Sequence, residues 1–253
     1  KARVKLVREM LNYDTWKVRP AKRVYIPKAD GSKRPLGILT IKNRTAQAIV
    51  KNALEPYCEA QFESHSYGFR PGRSAHDAIE QCWRRLNRRC KDRWILDADI
   101  KSAFDSISQD FIISKLEFFP ARGLVKRWLR AGYVETEVFH DTTDGVQQGG
   151  VVSPVLANLA LDGMQQFAGR TFGFVRYADD FIVTARTKEE LLRLIPSIEE
   201  WLSKRGLILH PDKTKIVHIR EGFDFLGFNI RQYRGVCLVK PQKTKVLKLL
   251  HRI

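Results

Sequence analysis

The chain has 253 residues, longer than one typical domain and short for two full ones, and 43% of them are hydrophobic, which excludes wholesale disorder. No run of about 18 residues is both apolar and uncharged, so neither a membrane-spanning helix nor a membrane partner is expected. Lys and Arg number 45 against 28 Asp and Glu, a net charge of +17 that points to a polyanionic partner.

The chain opens on Lys1-Ala2-Arg3 without an initiator Met or an apolar signal region, so an excerpt of a longer protein is expected. Residues 42–63 read as a helix whose apolar face is Ala46, Ile49, Ala53, Leu54 and Tyr57. A second helix begins at Ser74, which forms an S-x-x-D capping box with Asp77. Its predicted buried stripe is Ile79, Cys82, Leu86 and Cys90, with Arg84, Arg85, Arg88 and Arg89 on the other side. Residues 94–100 read as a mostly buried strand interrupted by acids, followed by helices over 108–119, 121–131 and 153–168. In the last of these Ser153 is expected as N-cap and Pro154 as the first helical residue. Residues 172–185 read as two apolar strands joined at a tight acidic tip. Thr187 and Glu190 then cap a helix that ends by Gly206. Residues 215–219 and 223–239 read as strands, the latter a hairpin turning near Arg234-Gly235, and 241–253 as a helix. The class is α+β, with an antiparallel-leaning sheet. The four cysteines, Cys58, Cys82, Cys90 and Cys237, contain no CxxC pair, which argues against a zinc site or a disulfide framework and for a reducing, cytoplasm-like compartment.

Two sets of carboxylates do not suit a core. Asp97 and Asp99 sit two residues apart in an apolar strand and so share a face. Asp179 and Asp180 lie between FGFVRY and FIVTA. Singly, each has a plain explanation as a turn former or a salt-bridged strand residue. Together they suit a site for two divalent cations about 3.5–4 Å apart, of the kind that catalyses phosphoryl transfer. Carboxylate oxygens favour Mg²⁺, which takes its other ligands from water and substrate phosphates.

Seven blocks occur in order: VYIPKADGSKRPLGI (24–38), SYGFRPGRSAHDAI (66–79), LDADIKSAFDSI (96–107), VQQGGVVSPVLANLAL (146–161), FVRYADDFIV (174–183), GLILHPDKTKIVHI (206–219) and FDFLGFNI (223–230). With them the chain resembles the reverse transcriptase of a group II intron-encoded protein, or maturase, over nearly all of residues 20–250. The resemblance implies a right-hand polymerase with fingers at 1–95, a palm at 96–240 that includes some interleaved finger elements, and the start of a truncated thumb at 241–253. The palm is then an antiparallel sheet with packed helices. By the same resemblance Asp99, the backbone carbonyl of Ile100, Asp179 and Asp180 hold two Mg²⁺ ions, with Mn²⁺ as a substitute. Asp97 lies outside that pattern, and Asp105 reads as a helix-start residue. Phe104, five residues after Asp99, falls at the aromatic gate that excludes a ribose 2′-OH. Lys28 and Arg34, with Lys33 as a competitor, match cations that grip the incoming triphosphate, on a hairpin turning at Asp30-Gly31. Gln148 and Gly149 match the QG element beside the nascent base pair. Lys213, with Lys215 near it, matches the lysine that protonates the leaving pyrophosphate. Phe225, Leu226, Gly227 and Phe228 match the primer grip, and Arg70 and Arg73 match template contacts.

The implied activity is RNA-directed DNA synthesis, with an RNA template, intron RNA, a DNA primer and dNTPs as partners, in a bacterial cytoplasmic ribonucleoprotein or an organelle matrix. Oligomeric state is left open. Two alternatives stand beside it: an RNA-binding splicing cofactor (maturase) without polymerase activity, and a reverse transcriptase attached to a CRISPR or defence system.

Overall fold

The computed structural model describes residues 3–5, 8, 12, 15–27, 31–87, 90–169 and 171–251. In chain order the strands are β1 (Ala21–Pro27), β2 (Lys33–Ile38), β3 (Trp94–Asp99), β4 (Tyr133–Glu135), β5 (Val138–His140), β6 (Gly173–Tyr177), β7 (Asp180–Ala185), β8 (Lys215–His218), β9 (Phe223–Phe225), β10 (Phe228–Tyr233) and β11 (Val236–Pro241). The helices are α1 (Ile41–Glu59), α2 (Ala75–Leu86), α3 (Ala103–Ser106), α4 (Gln109–Lys115), α5 (Arg122–Leu129), α6 (Ser153–Leu161), α7 (Met164–Ala168), α8 (Lys188–Ser203) and α9 (Lys243–Leu250). They fall into two compact units that interleave along the chain. The first comprises residues 1–61, 102–161 and 205–207, and the second 62–101, 162–204 and 208–253.

In the first unit β1 and β2 form an antiparallel hairpin, and β1 continues through a parallel pairing with β4 to β5. Helix α1 buries Ala46 and Leu54 of its expected face but leaves Ile49, Ala53 and Tyr57 outside the core. Its buried stripe is Asn43, Ala46, Gln47, Val50, Leu54 and Cys58, whereas Ile49 and Tyr57 are 50% and 57% exposed. The reason is that two polar residues are buried with partners. Asn43 donates to the Arg19 carbonyl (3.0 Å) and accepts from the Trp16 indole (3.2 Å), while Gln47 accepts from the Val151 amide (2.8 Å). A satisfied amide takes a core position as readily as an aliphatic side chain does. Helices α4 and α5 are shorter at both ends than their apolar runs suggested. The long helix expected at 153–168 is divided at Gly163, whose φ of +91° ends α6 and starts α7. Ser153 is inside α6, not its N-cap. The Val152 carbonyl takes the first helical bond, from Leu156 N, and Ser153 Oγ donates to the Gln147 carbonyl (2.7 Å).

The second unit is built on the antiparallel sheet β6-β7-β3-β8 and the meander β9-β10-β11. The capping box at Ser74 and Asp77 forms as expected and starts α2. Ile79, Cys82 and Leu86 are buried in the predicted stripe, but the helix stops at Leu86, and Cys90 lies beyond it, half-buried. Arg88 and Arg89 lie outside the described residues. Ile95, Val175 and Ile182 pack with α2 and with Phe223, Phe225, Ile230 and Cys237 of the meander in one core. Each such side chain contributes about 1.5–3 kcal/mol by leaving water. Helix α8 keeps both expected ends, its capping box at Thr187 and Glu190 and a left-handed Gly206 beyond it, and packs on β3 and β7. Residues 223–239 make three strands rather than a single hairpin, because Leu226-Gly227 is a second turn, with φ of +50° and +85°. The Arg234-Gly235 turn lies where it was expected. All four cysteines are free.

Candidate active site

The register of the second unit's sheet brings distant acids together. Strand β3 runs antiparallel to β7 with Asp99 opposite Asp180, and Asp97 opposite Ile182. Directly opposed residues share a face, with Cβ atoms about 4.5–5.5 Å apart. The β6–β7 hairpin closes from Tyr177 to Asp180, so its two-residue loop is Ala178-Asp179, and Asp180 is already the first strand residue. The tip is therefore one residue earlier than an Asp-Asp turn would be. Ala178 adopts the left-handed φ (+58°) that such a loop requires. The Asp179 carbonyl accepts from Ile100 N (3.3 Å), which ties the tip to the end of β3.

Lys213 completes the cluster. A turn from His210, whose carbonyl accepts from Lys213 N (3.2 Å) and Thr214 N (3.0 Å), places the lysine beside β3, where its Nζ forms an ion pair with Asp99 Oδ2. That bond, reinforced by Asp180 and Asp179, holds the Lys213 ammonium above its usual pKa. Burial first, then the charges of Asp179 and Asp99, push the Asp180 carboxyl up to about 7. Asp97 is set apart: it faces Lys215 across the β3–β8 ladder at 3.6 Å, and burial raises its pKa. Ile100 pairs with Leu209 in a bridge whose flanking bonds, His210 N to Asp99 O (2.8 Å) and Lys101 N to Ile208 O (3.0 Å), do not use the Ile100 carbonyl.

Among the described residues no group of three or more His, Cys, Asp or Glu side chains is arranged to hold a metal ion. The donor chemistry nevertheless fits a divalent cation. Burial, with the charges of Asp179 and Asp99 added to it, raises the Asp180 carboxyl to about 7, and an ammonium sits on Asp99 in the role of counter-charge. A few carboxylates with open positions for water and phosphate oxygens is the ligand set that Mg²⁺ takes.

In the first unit the QG loop docks on β2. Gly37 N donates to the Gln148 carbonyl (2.7 Å), and Gly149, at φ +98°, lies against the Gly37 carbonyl. The Gln148 side-chain amide donates to both carboxylate oxygens of Asp105 (3.1 and 3.0 Å). Phe104 is half-buried, and its carbonyl accepts from Val146 N (2.6 Å). Phe104, Asp105 and Gln148 line one cavity of about 330 Å³ together with Arg23 and Tyr133, the Arg23 guanidinium lying 3.7 Å above the Tyr133 ring. Asp105 lies in the first turn of α3, which begins at Ala103, and its link to Gln148 joins that turn to the QG loop. Arg34 and Lys33 are exposed on β2, while Lys28 and Asp30 lie outside the described residues.

The remaining candidates are in the second unit. Arg70 is 5% exposed, and its guanidinium donates to the carbonyls of Glu63 (2.6 Å) and Ser66 (2.9 Å), which leaves it no surface to offer a template. Arg73 is half-buried and donates to the Ser64 and Ser66 carbonyls. Leu226 and Gly227 form the β9–β10 turn. Phe225 is buried in the core, and Phe228 meets His76 edge-on at 5.6 Å.

Residues 26–230 match the reverse transcriptase (RNA-dependent DNA polymerase) family. The chain belongs to that family. It is 30% identical to protein YkfC of Escherichia coli, over 92% of this chain and 72% of that protein. It is 27% identical to the group II intron-encoded protein LtrA of Lactococcus lactis, over 96% of this chain and 52% of LtrA, so it spans about half the length of that relative. The fold superimposes on telomerase from Candida albicans with a TM-score of 0.69 at 16% identity, covering 95% of this chain and 48% of the telomerase. This is the fingers-and-palm fold of a right-hand polymerase, in a reverse transcriptase domain. Reverse transcriptases work with divalent metal ions and copy an RNA template.

Proposed function

We propose that the chain catalyses RNA-directed DNA synthesis, with the sheet β6-β7-β3-β8 as palm, the first unit's hairpin as part of the fingers, and α9 as the start of a thumb. The observation that carries this reading is the pairing of Asp99 with Asp180 beside Asp179, with Lys213 bound to Asp99. Asp99, Asp179 and Asp180 would hold two Mg²⁺ ions, with the Ile100 carbonyl as a further oxygen, and Mn²⁺ would substitute. When bound, the ions supply Lewis acidity to the attacking and leaving oxygens.

In the reaction the primer 3′-OH gives up its proton to solvent, its oxygen forms a bond to the α-phosphorus of a dNTP, and the bond from that phosphorus to the α–β bridging oxygen breaks. Lys213, its ammonium favoured by the neighbouring carboxylates, gives a proton to the leaving pyrophosphate. Arg34 and Lys28 hold the triphosphate by charge. Phe104 walls off the sugar 2′ position, and Gln148, its side-chain amide held by Asp105, lies with Gly149 beside the new base pair. Leu226 and Gly227 steady the primer, Arg73 meets the template, and the excess of Lys and Arg binds intron RNA.

The test is primer extension on an RNA template. Asp179→Ala is expected to reduce dNTP incorporation to background while RNA binding persists. Undiminished synthesis by that variant would overturn the assignment, and RNA binding without synthesis by the unaltered chain would favour a pure splicing cofactor.

A further inference from the structure

Beneath the Ala178-Asp179 loop lies a buried ionic group that the proposed chemistry does not use. Arg176 is 1% exposed and Glu63 2%, with Nε and Oε1 3.4 Å apart. Glu63 Oε2 accepts from Gly163 N (3.1 Å) and Gln165 N (2.8 Å), so the carboxylate is anchored at the start of α7. Arg176 Nη1 donates to the Ala178 carbonyl (3.2 Å). The backbone of Arg176 is gripped as well, donating to the His65 carbonyl and accepting from Tyr67 N, each at 2.9 Å. The next residue, Gly68, lies so close that a Cβ there would meet Ala178 N and come within 3.0 Å of the Tyr177 carbonyl carbon. The segment from Glu63 to Gly68 is thus a cradle for the hairpin tip.

We propose that Arg176, held by Glu63, is a positioning residue for the Asp179–Asp180 carboxylates. The inference rests on the reading of those acids as metal ligands. Both carbonyls of the loop are tied down: that of Ala178 by Arg176 from below, and that of Asp179 by Ile100 N from β3. Asp179 and Asp180 repel one another, and an untethered left-handed loop would open to relieve the repulsion. A tethered one keeps the acids together until a cation arrives. Stability is a poor explanation for the pair, because burial opposes ionisation of both partners, raising the Glu63 pKa and lowering that of Arg176. Apolar residues of similar volume commonly serve a core equally well. Placing a fixed guanidinium donor on one loop carbonyl is something apolar residues cannot do.

The test uses the whole 253-residue chain and two variants. Arg176→Met with Glu63→Gln removes both charges together, so no buried ion is stranded, and the carboxamide oxygen of the substituted side chain can still accept from the α7 amides. Arg176→Lys keeps the charge but cannot span Glu63 and the Ala178 carbonyl as a planar fork does. Mn²⁺ binding is read by electron paramagnetic resonance, beside dNTP incorporation and RNA binding. Both variants should bind Mn²⁺ about 10–100-fold more weakly, the range for groups that orient metal ligands, and lose kcat with little change in KM for dNTP and none in RNA affinity. A folded variant of either kind with unaltered Mn²⁺ affinity overturns the proposal. If the double variant does not fold, Arg176→Lys decides alone. Asp179→Ala separates the two ideas. If it binds Mn²⁺ like the unaltered chain, the metal reading itself fails; if it does not and the Arg176 variants do, only the positioning role fails.

Discussion

Gly149→Ala is the substitution whose cost the geometry fixes most closely. At φ +98° a residue bearing a Cβ is strained by about 1–2 kcal/mol. The added methyl would also lie 2.8 Å from the Gly37 carbonyl oxygen and 2.9 Å from Leu36 Cδ1. Leu36 can rotate away, but the Gly37 carbonyl cannot easily move, because the amide of the same residue is bonded to the Gln148 carbonyl (2.7 Å). Overpacking of this kind costs about 1–3 kcal/mol, giving about 2–5 kcal/mol in all. Gly235→Ala is the matched control: its φ is +85°, yet nothing lies within 4 Å of a Cβ, so only the conformational cost of about 1–2 kcal/mol applies. Urea unfolding of the two variants measures the difference. Primer extension at varied dNTP should show a raised KM for Gly149→Ala, since relief of the clash displaces β2 from Gln148, and no change for Gly235→Ala. Equal losses of stability in the two variants would refute the tight docking of the QG loop on β2.

Three further outcomes are expected. Phe104→Ala should admit ribonucleotides, measured as the ratio of kcat/KM for a dNTP and its ribo counterpart; unchanged discrimination would remove Phe104 from the sugar site. Lys213→Met should lower kcat about 10²–10⁴-fold with little change in KM, as loss of a general acid does, and should abolish the alkaline limb of the pH–rate profile if Lys213 is the proton donor. Asp180→Asn should raise the melting temperature of the metal-free chain in EDTA at pH 8. Because the folded pKa of Asp180 is raised to about 7, the fold binds the proton more tightly than the unfolded chain, and stability is lost as pH rises from about 4 through 7. The benefit of the amide should therefore vanish at pH 4, and a benefit equal at both pH values would show that the carboxylate charge is not its source.

What the sequence discloses depends on whether a signal is local. The helix from Ala75 was legible because its capping box and its stripe at 79, 82 and 86 lie within a dozen residues. The acids were legible because β-branched and aromatic neighbours make a carboxylate conspicuous. The face of α1 was misread because Asn43 and Gln47 find their partners at Arg19 and Val151, and only those partners turn polar residues into core. The turn at Leu226-Gly227 came only from the resemblance to the primer-grip turn, since the apolar FLGF run alone reads as core and hydrophobicity does not report a left-handed backbone. The resemblance matched Arg70 to a template contact, and only the fold shows its guanidinium donating to the Glu63 and Ser66 carbonyls. Arg176 carried no signal, because its partner Glu63 is 113 residues away.

The roles of Asp97 and Asp99 are separated by register rather than by residue type. Both point to one face of β3, and both are flanked by apolar residues. Asp97 stands opposite Ile182 on one side and Lys215 on the other, so it meets a single cation and is neutralised within the sheet. Asp99 stands opposite Asp180 at the last rung of the ladder, where β7 has just left the loop bearing Asp179. A shift of two residues would keep every side chain on its face but bring Asp97 to Asp180, leaving Lys215 opposite an apolar residue. The apolar rungs behind the acids, Ile95 against Thr184 and Val217 and Leu96 against Val183 and Ile216, are what hold the ladder in place. Packing several residues from the chemistry thus decides which carboxylate stands among Asp179, Asp180 and Lys213 and which one is paired with Lys215 alone.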